Sequence, residues 1–123
     1  MAKKILIIED EKPLANMLAT KLHDEGYETD VAFDGEQGLK RALEWDPNLV
    51  LLDLVMPKMD GMTMLRRLRD DDKGKNLHVI LLTNLSDTSK VYEAVTLGVK
   101  DYLVKTNWDL DEIIEEIKSK IEE

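Results

Sequence analysis

The stretch LVLLDLVMPKMDG, residues 49 to 61, sets an apolar run directly against an acid and then a proline. Leu49, Val50, Leu51 and Leu52 show no polar alternation, so the run reads as a strand covered on both faces. An ionised carboxylate at the end of such a strand is costly unless another group compensates it. Pro57 forbids a simple continuation. Asp53 therefore needs a chemical explanation, and its strand needs helices on both sides.

Outward from this run the chain alternates the same two signals. KILII (4 to 8), ETDVAF (28 to 33), HVILL (78 to 82) and DYLV (101 to 104) are further strand-like segments. Between them lie helical stripes: Leu14, Met17, Leu18 and Leu22; then Leu39, Ala42 and Leu43; then Met64, Leu65 and Leu68; then Val91, Ala94 and Val95. Leu110, Ile113, Ile114, Ile117 and Ile121 make a fifth. Asp34 to Gln37 and Asp109 to Glu112 have the spacing of capping boxes, Pro13 suits a helix start, and Gly26 and Gly98 suit helix ends. The acidic segment DDDKGKN, 70 to 76, reads as a solvated loop. Five strand-helix units in succession predict one α/β domain over residues 1–123, a doubly wound parallel sheet with helices on both faces.

Composition restricts the function. A chain of 123 residues with 43% hydrophobic and 5% aromatic residues supports a single core and contains no run long enough to span a bilayer. The first apolar run is short and leads into acids, so no signal peptide and a cytoplasmic location are expected. Without cysteine there is no disulfide or thiolate metal site. A net charge of -9 disfavours direct contact with nucleic acid or an anionic membrane and favours cations and basic partners.

In a parallel sheet the residues just after each strand gather on one rim, where ligands bind. Here that rim receives Glu9, Asp10, Asp34, Asp53, Thr83 and Lys105. Each has an ordinary alternative: Asp34 is accounted for as a helix cap and is assigned no function, and Glu9 and Asp10 equally suit solvated acids at a helix start. Thr83 alone reads as a strand residue and Lys105 as a surface cation. Their convergence is the signal. Clustered carboxylates suit a hard divalent cation, Mg²⁺, and Asp53 then serves as the nucleophile in phosphoryl transfer. Lys105 would neutralise one phosphoryl oxygen and Thr83 would donate to another.

ILIIEDE, LLDLVMPKMDG, ILLTN and DYLVKT together resemble the signatures of the two-component response-regulator receiver domain, over essentially the whole chain. The resemblance implies a flavodoxin-like (βα)5 sheet of order 2-1-3-4-5 and Asp53 as phosphoacceptor. It implies Mg²⁺ held directly by Asp10 and Asp53, by Glu9 through water, and by the Val55 backbone carbonyl. Thr83 and Lys105 would contact the phosphoryl group, and Tyr102 would turn inward as Thr83 moves. The phosphodonor would be a phosphohistidine on a sensor histidine kinase or phosphotransfer protein. The chain departs from the family at Thr106, where proline is usual, at Asn84, where a small residue is common, and at Glu9, where Asp is commoner.

These features lead us to expect a stand-alone receiver, a monomer or weak phosphorylation-dependent dimer. It would act by phosphorylation of its own Asp53 rather than as an enzyme on other substrates. Its signal would leave for a downstream protein through helix four, strand five and helix five. The resemblance also implies that Val55 and Leu85, two residues after Asp53 and Thr83, help set the phosphoryl lifetime, and as side chains unable to hydrogen-bond a water they would prolong it. A flavodoxin-like cofactor module is the alternative, although acids replace its phosphate-binding loop. His23 and His78 are expected to be ordinary surface or strand-start residues.

Overall fold

A computed structural model describes residues 2–83, 88–105 and 109–122 of the chain. Five strands alternate with five helices: β1 Lys4–Ile8, α1 Lys12–Asp24, β2 Glu28–Ala32, α2 Gly35–Trp45, β3 Leu49–Asp53, α3 Gly61–Asp70, β4 Val79–Thr83, α4 Thr88–Thr96, β5 Asp101–Val104 and α5 Leu110–Ile121. The sheet is wholly parallel in the order β2-β1-β3-β4-β5. β3 is the central strand, and all five of its residues are buried. Its unbroken apolar run is what a strand with helices above and below requires.

Alternate residues of the strands feed two separate apolar layers, because successive side chains point to opposite faces. Leu6, Ile8, Val50, Leu52, Val79 and Leu81 pack with Ala42, Leu65, Leu68 and Ala94, which places α2, α3 and α4 on one face. Ile5, Ile7, Leu49, Leu51, Ile80 and Leu82 pack with Leu18, Leu22, Ile114 and Ile117, which places α1 and α5 on the other. Each fully buried leucine or isoleucine contributes about 1.5–3 kcal/mol of transfer free energy, and these two layers hold the strand ends in line.

Local chemistry sets the element ends. Asp34, Asp60 and Asp109 accept hydrogen bonds from the N–H groups of Gln37, Thr63 and Glu112, at 2.8, 2.9 and 2.8 Å. At Asp109 the reciprocal bond from its own N–H to Glu112 completes the capping box. Gly26 and Gly98 take φ of 102° and 85° just past α1 and α4, a region that favours glycine.

Two expected core residues are not in the core. Met17 is 52% and Val95 59% exposed. Leu14, Leu18 and Leu22 recur every fourth residue with Ala15 beside them, and Met17 falls on the outer flank of that row. In α4, Ala94 faces the sheet, and Val95, a third of a turn further round, faces solvent. The 70 to 76 segment is also more than a solvated loop. Asp70 closes α3 and Gly74 is buried, its carbonyl accepting from Arg69 Nη1 at 2.8 Å.

Candidate functional site

The parallel sheet delivers the ends of β1, β3, β4 and β5 to one rim, and the predicted residues meet there. The Glu9 N–H donates to the Ala32 carbonyl at 3.0 Å, so the β1–β2 ladder runs one residue past β1. The Glu9 Oε2 accepts from the Glu11 N–H at 2.9 Å, which turns the chain into α1. Asp53 ends β3 and is 5% exposed, while Glu9 is 1% exposed. In register Asp53 lies opposite Leu82, so the buried Thr83 stands one residue further along the same rim.

Lys105, just past β5, binds the cluster together. Its Nζ lies 2.5 Å from Glu9 Oε1, 3.6 Å from Asp53 Oδ2 and 3.8 Å from Glu11 Oε1. One ammonium cannot balance so many carboxylates. Burial, then the neighbouring Glu9 carboxylate, push the Asp53 carboxyl up to about 7, against the opposing pull of Lys105 and a hydrogen bond from the Val55 N–H. That bond is long, at 3.4 Å. Burial pulls Lys105 down, but the bond to Glu9 and the charges of Asp53, Glu9 and Glu11 together hold its pKa above the ordinary lysine value.

Glu9, Asp10 and Asp53 each offer a carboxylate oxygen, and these atoms lie within 4.8 Å of one another. Glu9 Oε1 is buried without a well-formed hydrogen bond, although the Lys105 ammonium lies 2.5 Å away. An all-oxygen donor set with excess negative charge fits a hard divalent cation and not a thiophilic one.

Other predicted residues stand apart. Val55 is 72% exposed and touches the site only through its backbone, and Tyr102 on β5 is 53% exposed. Asp34 is a buried cap, with Lys58 Nζ 3.6 Å from its Oδ2. His78 precedes β4, its Nε2 3.7 Å from Asp101. Asn84, Leu85 and Thr106 lie outside the described residues.

Three contributors escaped the sequence reading. Gly61 packs its backbone against the phosphoacceptor candidate: a Cβ there would lie 2.3 Å from the Asp53 carbonyl oxygen and 2.7 Å from Leu54 Cα. Its N–H donates to the Leu54 carbonyl at 2.9 Å. Lys58 adopts φ of 65°, a left-handed turn that places the loop after β3 against α2. Glu11 supplies a further acid to Lys105. Gly61 closes the motif LLDLVMPKMDG, but nothing in the sequence pointed to its contact with Asp53.

Comparison with known proteins defines the class to which this rim belongs. Residues 5–118 match the model of the response regulator receiver domain, and the chain belongs to that family. It is 35% identical over 118 residues to the response regulator ArlR of Staphylococcus saprophyticus, covering 96% of this chain and 52% of that protein. It is 37% identical over 115 residues to the transcriptional regulatory protein DltR of Streptococcus agalactiae, covering 94% of this chain and 50% of that protein. The solved receiver domain of the Francisella response regulator 1452 superposes with a TM-score of 0.84 at 32% identity, over 98% of this chain and 97% of that one. The chain spans about half the length of ArlR and DltR. Among the described residues no helix is long and apolar enough to cross a membrane.

Proposed function

We propose that Asp53 accepts a phosphoryl group from a phosphohistidine on a sensor histidine kinase or phosphotransfer protein. The carrying observation is a buried carboxylate at the end of the central strand, with an ammonium at 3.6 Å and two further carboxylates within 4.8 Å. An Asp53 oxygen attacks phosphorus, the phosphorus–nitrogen bond breaks, and the imidazole leaves. Glu9, Asp10 and Asp53, with the Val55 carbonyl, would hold Mg²⁺, which when bound neutralises the carboxylates and the phosphoryl oxygens. Lys105 leaves Glu9 for the phosphoryl group, and the Thr83 hydroxyl donates to a second phosphoryl oxygen. The chemistry is confined to the protein's own aspartate.

The phosphorylated form then has a different affinity for a protein partner, by a shift between two conformations. Tyr92, Val95 and Tyr102 are 76%, 59% and 53% exposed on α4 and β5, and support that face as the contact. With a net charge of -9, this domain touches a basic partner surface rather than nucleic acid. The test is incubation with acetyl phosphate and Mg²⁺ followed by intact mass. A phosphate adduct on wild type but not on Asp53→Ala is expected, and an adduct on both proteins, or on neither, overturns the reading.

A further inference from the structure

At the opposite end of the strands the charge reverses. A cavity of about 710 Å³ opens on the amino-terminal rim of the sheet, among the residues that precede β1, β3, β4 and β5. Lys3, Lys75, Lys100, Lys120 and His78 line it, together with Arg69, and among the described residues Asp101 is its single acid. On a chain of net charge -9 this is a local inversion of sign.

Part of the inversion has a structural cause. Helix carboxyl ends point to this rim, and cations complement their carbonyls. Lys3 Nζ donates to the Ile121 carbonyl at 2.9 Å, at the end of α5. The half-buried Arg69 donates to the carbonyls of Leu97, Gly74 and Leu77 at 2.6, 2.8 and 2.7 Å. Asp101 is shared by Lys120 at 3.5 Å and His78 at 3.7 Å. Lys75 and Lys100 are left over: both are exposed on the cavity wall, and among the described residues neither forms an ion pair. No helix end or acid explains them.

The walls that carry these two lysines are held in place. Through its three carbonyl bonds Arg69 ties the 74–77 turn, bearing Lys75, to the end of α4, from which Gly98 leads to Lys100. A concave site with preset cations binds an anion without first having to order itself. Its size suits a small molecule. Among the described residues its lining holds Leu77 and Ile121 but no phenylalanine, tyrosine or tryptophan, and the one aromatic ring, His78, lies 3.7 Å from Asp101.

We propose that this rim binds a compact multiply charged anion of the di- or triphosphate class, held by Lys75 and Lys100 with Lys3 and Lys120 beside them. The site is independent of Asp53 and stands at the other end of the sheet. The probe is inorganic triphosphate, titrated calorimetrically into the full chain at low salt with Mg²⁺ chelated. Single-site saturable binding is expected, weakened about tenfold or more by Lys75→Gln with Lys100→Gln, because charge-assisted hydrogen bonds are lost. Lys40→Gln with Arg67→Gln, an equal charge change on exposed residues elsewhere, should leave it unchanged. Both double variants should melt as wild type does. Absence of saturable binding, equal loss in the control variant, or full retention in the Lys75/Lys100 variant each overturns the proposal. So does sedimentation showing self-association that disappears in the Lys75/Lys100 variant, which would assign the rim to a second copy, or binding of duplex DNA in preference to triphosphate.

Discussion

Asp53→Asn should stabilise the metal-free protein, although it removes the residue on which the proposed function depends. Burial and Glu9 raise the Asp53 carboxyl from its ordinary 3.8 to about 7. Between those values the folded state holds a proton that the unfolded chain releases, so stability falls as pH rises from about 4 through 7. At about 1.4 kcal/mol per pH unit the ceiling of that penalty is about 4 kcal/mol. The site mouth is open beside Val55, 72% exposed, and water screening there reduces the expected gain to about 2 kcal/mol. Asparagine keeps the shape and removes the charge, and Lys105 retains Glu9 at 2.5 Å, so no ammonium is stranded. Chemical denaturation with Mg²⁺ chelated is the assay. The variant should exceed wild type by about 2 kcal/mol at pH 8, roughly 6–10 °C in Tm for a domain of this size, and the gap should narrow steadily toward pH 5. An Asp53→Asn variant no more stable than wild type at pH 8, or a gap that does not change with pH, would refute the charge conflict.

Mg²⁺ should reverse that order, raising the wild-type Tm in proportion to ln(1 + [L]/Kd); Asp10→Asn should blunt the rise, and a wild type indifferent to millimolar Mg²⁺ would remove the metal site. Lys105→Ala should abolish the phosphorylation-dependent change in partner affinity while leaving Mg²⁺ affinity equal or higher, since its ammonium competes for the same carboxylates; a Mg²⁺ titration is the control. Gly61→Ala forces a methyl against backbone atoms at 2.3 and 2.7 Å that cannot yield, and should cost about 1–3 kcal/mol with a parallel fall in phosphoryl uptake read by intact mass. Asp60→Ala removes the α3 cap and should cost about 1 kcal/mol at neutral pH. The Thr63 N–H holds the Asp60 carboxyl below its ordinary value, so this contribution is present above pH 4 and lost as pH falls further, which a urea midpoint measured against pH will show.

Much of the fold was legible because its signals are local. The strands Lys4–Ile8 and Asp101–Val104 match their sequence patterns to the residue. β2 stops before Phe33, β3 takes in Asp53, and β4 runs from Val79 to Thr83 instead of starting at His78. Those shifts follow from ladder pairing, which a single strand's hydropathy does not encode. Met17 and Val95 were misplaced because an apolar residue at the margin of a stripe is indistinguishable by period from one inside it. Gly61 went unread, because its close approach to Asp53 depends on how the loop after β3 folds back.

The site was legible for a different reason: parallel topology converts positions far apart in sequence into one rim, so knowing the strand ends nearly names its members. What topology cannot give is which charges pair. Lys105 was expected to await a phosphoryl group, yet its shortest contact is Glu9, and Glu11 joins from the start of α1. Local consistency fails among buried groups at this rim, where acids outnumber the cation that serves them. On the surface the same chain also forms simple pairs, as at Lys21–Asp111 and Lys118–Glu25. A sequence that leaves buried acids in excess at the end of its central strand keeps free energy in reserve for a cation. A divalent cation carries the charge that would settle the conflict, and under the proposed function its presence is what would let the same rim accept the further negative charge of a phosphoryl group.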